Sequence, residues 1–306
     1  MNLILQNPSL FSETEKTDIT KFGFTIISED SDVNEAEVYV GIFKDTRLKL
    51  ETIKGLKFIQ STIAGYDMID MDAIKAKNIS FANASGIGSA PIAEFIVHAL
   101  LDKYRCASLF RESQGSKTWI SRRQSDAMID ELTHKRILIL GTGSIGHAVA
   151  KRLSAFDAVC VGINQSGRTV EYFDACYPMN QLDAQLQHAD VVVGALPFND
   201  DSRNLYNEQF FKKMKNESIF INVGRGPQCN EDDLLTALDQ NIAHAILDVF
   251  QVEPLSSESK LWTHPHIVVT PHNSSSSLLV EARLKALIMH NLKQYAEKQM
   301  LRNQVF

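Results

Sequence analysis

From residue 136 onward, short β-branched runs alternate with segments of helical periodicity, and this pattern leaves few folds open to the chain. The runs are mostly continuous, which is typical of parallel strands buried on both faces. The predicted strands cover residues 136–140, 158–163, 191–195, 218–223, 243–249 and 266–270. With helices such as 145–156 and 231–240 between them, they predict a doubly wound parallel sheet of the Rossmann type.

The first of these strands runs directly into a glycine-rich turn, GTGSIG, which precedes a helix. In such a turn the first glycine permits a tight bend, the second lets the backbone approach a pyrophosphate, and the third lets helix and strand pack closely. The helix N-terminus adds N–H donors and a positive dipole. We therefore expect the phosphates of a dinucleotide at Gly141, Gly143, Ser144, Ile145 and Gly146. The alternative is a plain βα turn without a ligand.

The residues at the end of the second strand indicate which dinucleotide binds, NAD(H) or NADP(H). An acidic residue about 20 residues after the loop would bind the ribose hydroxyls of NAD, but this chain has Asn164, followed by Ser166 and Arg168. A carboxylate would repel a 2′-phosphate, whereas a nearby guanidinium can bind one. We predict a preference for NADP(H), with NAD(H) possible; the alternative is that Arg168 is an ordinary solvated turn residue.

The first hundred residues indicate a smaller, flavodoxin-like α/β unit with strands over 2–5, 23–27, 38–43, 57–62 and 79–82. A helix is predicted from Pro91 to about residue 105, and another over 278–298. Because one terminal helix does not make a domain, we place it on the N-terminal unit. The expected domains are 1–102 with 275–306 for substrate binding, and 103–274 for the dinucleotide.

Composition excludes several classes of function. Lys and Arg number 31 against 37 Asp and Glu, a formal charge of −6 without a basic tract, which argues against nucleic-acid binding. No run approaches the roughly 20 apolar residues that cross a bilayer, so we expect a cytoplasmic protein without a membrane partner. The cysteines are far apart and expected to be reduced, and no matched ligand set indicates a metal site.

Three charged residues follow predicted strands at the edge where ligands of open α/β sheets bind. Arg225 ends the fourth run, Glu253 follows the fifth, and His272 ends the sixth. This set suits reduction of a carbonyl beside a carboxylate: Arg225 binds the substrate, His272 acts as general acid or base, and Glu253 tunes the imidazole and fixes its tautomer. Singly, each has a plain alternative as a surface or turn residue.

With these motifs the chain resembles the D-isomer-specific 2-hydroxyacid dehydrogenase family across nearly its whole length. The matching segments are the Gly141 loop, ALPFND from Ala195, FINVGRG from Phe220, LDVFQVEPL from Leu247 and TPH from Thr270. The resemblance implies that Arg225, Glu253 and His272 are catalytic. It also implies an oxidoreductase that interconverts a 2-ketoacid and a D-2-hydroxyacid, and a homodimer.

The resemblance extends to the remaining predicted site residues. It implies that Asp248 lies near the nicotinamide carboxamide, and the matching segments add Leu196, Pro197, Val223 and Gly224 to the predicted cofactor-binding set. It further implies that the backbone of Ile63, Ala64 and Gly65, in STIAGYD, holds the substrate carboxylate. An ordinary βα turn is the alternative for that loop.

Two features resemble the NADPH-dependent glyoxylate/hydroxypyruvate reductase branch of the family: Asn164, and the segment SGIGSAPIAEF, which lacks an Asn that many members carry. Trp119 resembles an aromatic residue that closes the substrate pocket in some relatives, and a place in the core or a dimer interface is the alternative. Two other functions stay open: a dinucleotide-sensing corepressor, and a dehydrogenase that uses NADH on a bulkier 2-ketoacid.

Overall fold

The computed structural model describes residues 1–28 and 33–306 of the chain. They divide into two compact units, a smaller one of Met1–Ile87 with Ser277–Phe306 and a larger one of Gly88–Ser276. The expected boundaries lay after residues 102 and 274, so the first of them differs by one helix.

The strands fall into two sheets. The smaller unit contains β1 Asn2–Leu5, β2 Thr25–Ile27, β3 Ala36–Gly41, β4 Phe58–Ser61 and β5 Ser80–Ala82. The larger unit contains β6 Arg136–Leu140, β7 Val159–Asn164, β8 Ala175–Pro178, β9 Val191–Gly194, β10 Ser218–Asn222, β11 Ile242–Leu247 and β12 Ile267–Val269.

The helices connect these strands and cover the sheets. In chain order they are α1 Glu13–Lys21, α2 Thr46–Thr52, α3 Met71–Ala76, α4 Ser89–Arg105, α5 Ala107–Gly115, α6 Arg122–Ser125, α7 Ser144–Leu153, α8 Leu182–Leu186, α9 Glu208–Lys213, α10 Glu231–Gln240 and α11 Val280–Ala296. No helix within the described ranges is both long enough and apolar enough to span a membrane.

The larger unit is a parallel sheet in the order β12-β11-β10-β9-β6-β7-β8. The strand order reverses between β6 and β9, which is the switch point where ligands of doubly wound sheets bind. This confirms the predicted Rossmann-type fold. The strand β8 was not predicted, because it is a short edge strand whose residues are all only half-buried and so lacks a continuous apolar run.

The smaller unit is also a parallel sheet, in the order β2-β1-β3-β4-β5, which is the flavodoxin-like arrangement that the sequence indicated. The terminal helix α11 belongs to this unit, where Ile288 and Leu292 pack in the same core as Leu3, Val38 and Phe58. The pairing of β4 with β5 brings the segments that follow these two strands to one edge of the sheet.

Helix α4 packs on the larger unit. Ile92, Ile96 and Leu100 lie in one core with strand β6 and helix α7, and Arg152 of α7 forms a 3.0 Å ion pair with Glu94. The apolar periodicity of residues 91–105 predicted the helix but carries no information about which sheet covers its apolar face. For this reason the expected boundary at 102 lies one helix beyond the division at Ile87.

Candidate active site

The glycine loop after β6 has the geometry that its sequence predicted. Gly141 has a φ of +101°, which disfavours any other residue, and a Cβ there would lie 2.7 Å from the carbonyl oxygen of Ala195. A Cβ on Gly146 would collide with the carbonyl of Gly141. A Cβ on Gly143 would meet no atom of the described residues within 4 Å. The structure therefore leaves space in front of the first turn of α7, as the pyrophosphate of a dinucleotide requires.

Asn164 closes the turn beyond β7. Its side-chain oxygen accepts a hydrogen bond from the backbone N–H of Arg168 at 3.1 Å, and its amide donates to the Arg168 carbonyl at 2.9 Å. The same amide donates to Thr142 Oγ1 in the glycine loop at 3.2 Å. These bonds occupy both ends of the Asn164 amide, while the side chains of Ser166 and Arg168 are exposed beside it.

Arg225 follows β10 in a tight turn between two glycines. Gly226 has no room for a side chain, because a Cβ there would collide with the backbone carbonyl of Phe250. The Arg225 guanidinium donates to the Gly224 carbonyl at 2.9 Å. The close approach at Gly226 thus packs the Arg225 turn directly against the chain that follows β11.

Gln228, which sequence reasoning missed, joins the ends of β9 and β10. Its side chain is fully buried and accepts a hydrogen bond from the Arg225 N–H at 2.9 Å. It donates to the carbonyls of Leu196 at 3.4 Å and Pro197 at 3.2 Å. One amide therefore fixes the Arg225 turn relative to two predicted cofactor-binding residues. Val223 and Gly224 lie in the same turn, after β10.

The structure brings Glu253 and His272 into direct contact. Glu253 Oε2 lies 2.7 Å from His272 Nδ1, while Oε1 accepts the Phe250 N–H at 3.0 Å. Since a carboxylate only accepts, Nδ1 carries the proton in this bond, and Nε2 is left to exchange a proton with a ligand. The imidazole is about half exposed and is therefore accessible to a ligand.

Asp248 is buried at the end of β11 and accepts hydrogen bonds from the segment that carries His272. Its Oδ1 accepts from Thr270 Oγ1 at 2.7 Å, the Asn273 N–H at 3.0 Å and the Ser274 N–H at 3.2 Å, and Oδ2 accepts from the N–H and hydroxyl of Ser274. Among the described residues, it is these hydrogen-bond donors that stabilise the negative charge of the Asp248 carboxylate, and no cationic side chain pairs with it. Asp248 therefore fixes the chain on both sides of His272.

Cys229 lies next to this site but has no part in its chemistry as a nucleophile. Burial raises the pKa of the Cys229 thiol far above its usual range, so the sulfur stays protonated. The chemistry available at these strand ends is proton transfer by His272 and anion binding by Arg225.

Two further predicted positions are on other elements of the chain. The loop Ile63, Ala64 and Gly65 follows β4 in the smaller unit, with Ala64 exposed. Trp119 is 91% exposed in the loop between α5 and α6, which contradicts the alternative that it is a core residue.

Sequence comparison places the chain among known dehydrogenases. The profile of the NAD-binding domain of D-isomer specific 2-hydroxyacid dehydrogenases matches residues 97–274. A curated relative, glyoxylate/hydroxypyruvate reductase B of Cronobacter sakazakii, is 31% identical over 297 residues, which cover 95% of this chain and 90% of the relative.

Solved structures of this dehydrogenase family also match the chain. A D-isomer specific 2-hydroxyacid dehydrogenase family protein from Aeromonas salmonicida matches with a TM-score of 0.81 and 30% identity, over 100% of this chain and 98% of that one. An NADPH-dependent glyoxylate/hydroxypyruvate reductase from Sinorhizobium meliloti, in complex with NADP and sulfate, matches with a TM-score of 0.79 and 25% identity, over 99% and 98% of the two chains.

The substitution Asp248→Asn tests how the His272 segment is held. An amide NH₂ in place of Oδ1 would remove the acceptor of the Asn273 N–H, and in place of Oδ2 it would leave the Ser274 N–H only its 3.2 Å bond to Oδ1, so we expect a loss of about 2 kcal/mol in the free energy of unfolding. Chemical denaturation measures it. Asp200→Asn, in an exposed loop, is the control and should change little. Equal stability of Asp248→Asn and wild type would contradict this account.

Proposed function

Because the chain belongs to the D-isomer specific 2-hydroxyacid dehydrogenase family and is an NAD(P)-dependent oxidoreductase, we propose that it reduces a small 2-ketoacid, such as glyoxylate or hydroxypyruvate, to the D-2-hydroxyacid with NADPH. The observation that carries the proposal is the 2.7 Å pair of Glu253 and His272 at the ligand-binding edge of the sheet. Two of the named relatives, those from Cronobacter sakazakii and Sinorhizobium meliloti, are glyoxylate/hydroxypyruvate reductases and support the choice of substrate.

In the proposed mechanism His272 is the general acid of reduction. Its Nδ1–H is held by Glu253, so the protonated Nε2 donates to the carbonyl oxygen of the substrate as that oxygen gains electrons. The Glu253 carboxylate stabilises the imidazolium before the transfer and holds the ring in place afterwards. In the oxidation direction the neutral Nε2 takes the proton back.

Arg225 is proposed to bind the substrate. Its guanidinium carries a permanent charge, so it attracts the ketoacid carboxylate and polarises the neighbouring carbonyl. The turn geometry supports this role, because the Gly224 carbonyl holds one guanidinium nitrogen while Gln228 and Phe250 fix the backbone. In the smaller unit we assign the Ile63–Ala64–Gly65 loop to the substrate carboxylate. The Ala64 and Gly65 N–H groups would bind it, since the Ile63 N–H donates to Ser61 Oγ at 3.3 Å.

The dinucleotide is proposed to bind along the carboxyl edge of the larger sheet. Gly141, Gly143 and the first turn of α7 would hold its phosphates, and Leu196, Pro197, Val223, Gly224 and Asp248 would flank its nicotinamide half. When bound, the reduced nicotinamide supplies the hydride. The chain's own contribution is orientation, proton transfer and binding of charge.

We propose that NADPH is preferred over NADH because of Arg168. Its guanidinium is exposed and has no ion-pair partner among the described residues, and the Asn164 bonds fix the turn on which it lies. A 2′-phosphate beside that turn would gain a charge-assisted bond.

Substitutions at the charged cluster test the mechanism. His272→Ala removes the proton donor and Arg225→Ala removes the substrate charge partner, so each should lower kcat/KM for glyoxylate and hydroxypyruvate by about 10²-fold or more. Initial rates follow from NADPH absorbance. His98→Ala and Lys212→Ala change exposed residues and serve as controls. Near-normal turnover in both site variants would reject the mechanism.

Tight NADPH binding without reduction of any 2-ketoacid would favour the corepressor function instead.

Arg168→Ala tests the choice of cofactor. Loss of the guanidinium should raise KM for NADPH about tenfold or more while leaving KM for NADH unchanged, because only the first cofactor carries the 2′-phosphate. Lys212→Ala removes the same charge from an exposed helix and is the control. A wild-type preference for NADH, or equal effects of Arg168→Ala on both cofactors, would refute the assignment.

We also propose a homodimer formed through the segment after α4. Helix α5 buries none of its residues, and Leu109, Trp119 and Met128 are exposed in and after it, an apolar surface of the kind that marks an interface. We therefore assign Trp119 to the interface.

Trp119→Ala should weaken the dimer about tenfold or more, because large buried aromatics dominate interface energies. Sedimentation velocity over a range of concentrations measures this, with the exposed Met300→Ala as control. An unchanged dimer with a raised KM for the ketoacid would instead assign Trp119 to the substrate pocket, and a monomeric wild type would refute the interface.

A further inference from the structure

The loop after β4 is held by its carbonyl groups. The Ile63 carbonyl accepts the Ala84 N–H at 3.1 Å and Ser61 Oγ at 3.1 Å. The Ala64 carbonyl accepts the side-chain amide of Asn83 at 2.7 Å. Two successive peptide groups are therefore tied, through their oxygens, to the segment that follows the neighbouring strand β5.

Fixing these oxygens also fixes the opposite side of the loop. In a trans peptide the C=O of one residue and the N–H of the next point in opposite directions within one plane. Because the Ile63 and Ala64 oxygens face the β5 segment, the N–H groups of Ala64 and Gly65 face away from it. Neither N–H has an acceptor in the part of the chain that the structure describes. The loop therefore presents two adjacent donors, which match the oxygens of one carboxylate.

Asn83, which makes the shortest of these bonds, is buried and held from both sides. Its side-chain oxygen accepts the Ser85 N–H at 3.1 Å, and its backbone N–H donates to the Asn303 carbonyl at 3.2 Å. The Asn303 side chain donates to the carbonyls of Ser85 at 2.7 Å and Asn83 at 3.4 Å. The segment around Asn303 is itself anchored, since Val305 donates to the Phe81 carbonyl at 2.9 Å.

We propose that Asn83 is a positioning residue that aims the Ala64 and Gly65 N–H groups at the carboxylate of the 2-ketoacid, and that Asn303 holds Asn83 for this task. The inference rests on the proposed function, which supplies the substrate, and adds the residues that set its carboxylate site. Asn83 and Asn303 act through the backbone and do not touch the substrate.

This arrangement separates substrate affinity from the rest of the reaction. Proton transfer belongs to His272 and the dinucleotide belongs to the larger unit, so loosening the loop should weaken carboxylate binding alone. A general loss of structure would instead lower thermal stability and cofactor binding together.

The test compares Asn83→Ala, Asn303→Gly and the control Gln304→Ala, whose side chain donates to the nearby Phe306 carbonyl. Asn303 has a φ of +56°, which glycine adopts freely, so Asn303→Gly removes the amide without adding backbone strain. Each variant is assayed for kcat, for KM of glyoxylate, for inhibition by oxalate, for the dissociation constant of NADPH, and for melting temperature.

We expect Asn83→Ala to raise KM for glyoxylate about tenfold, which corresponds to one lost hydrogen bond of ordinary strength. Asn303→Gly should raise it by less. The inhibition constant of oxalate should rise by the same factor as KM, while kcat and NADPH binding stay at the wild-type and Gln304→Ala values. Asn303→Gly keeps the test valid if Asn83→Ala fails to fold.

Unchanged KM and oxalate inhibition in both variants would overturn the inference while leaving the proposed function intact. Parallel losses in NADPH affinity, kcat and melting temperature would also overturn it, since they indicate a purely structural role. A wild-type protein that reduces no 2-ketoacid would overturn the proposed function, and this assignment with it.

Discussion

The buried carboxylate of Asp248 is the constraint on which the candidate site depends. His272 has a φ of +50°, in the left-handed region that costs a residue other than glycine roughly 1–3 kcal/mol. Such a conformation persists only where its surroundings fix it, and the bonds from Thr270, Asn273 and Ser274 to Asp248 do so on both sides of the histidine. The energy stored at His272 is thus offset by hydrogen bonds to one carboxylate.

The other strand ends are joined to the His272 segment by contacts of side chains with backbone groups and of backbone groups with each other. Phe250 contributes both of its polar groups, since its N–H donates to Glu253 and its carbonyl packs against Gly226. Gln228 continues the connection to Leu196 and Pro197 after β9. A shift of one strand end would therefore break contacts at the next. This coupling explains how loops keep the His272 imidazole and the Arg225 guanidinium in a fixed relation.

Sequence patterns predicted the features that depend on neighbouring residues in the chain. They did not predict the features that depend on tertiary packing. The glycine turn and the pairing of Glu253 with His272 were predictable, because steric needs at Gly141 and the shared edge of parallel strands follow from sequence order. The sheet against which α4 packs was not predictable, since the apolar face of a helix carries no information about which surface covers it. Strand β8 was not predicted because a half-buried edge strand lacks the continuous apolar run that marks the central strands.

Side-chain amides were overlooked for a different reason. Reasoning from sequence looks for ionisable groups, yet Asn83 and Gln228 each bind backbone groups of loops at strand ends. An amide can donate and accept at once, so it can fix both polarities of a backbone without adding charge. Holding a loop with an uncharged side chain matters in a chain that has a formal charge of −6 and binds an anionic dinucleotide. A carboxylate would hold N–H groups equally well, but it would oppose the anions bound beside it and could not hold the Ala64 carbonyl.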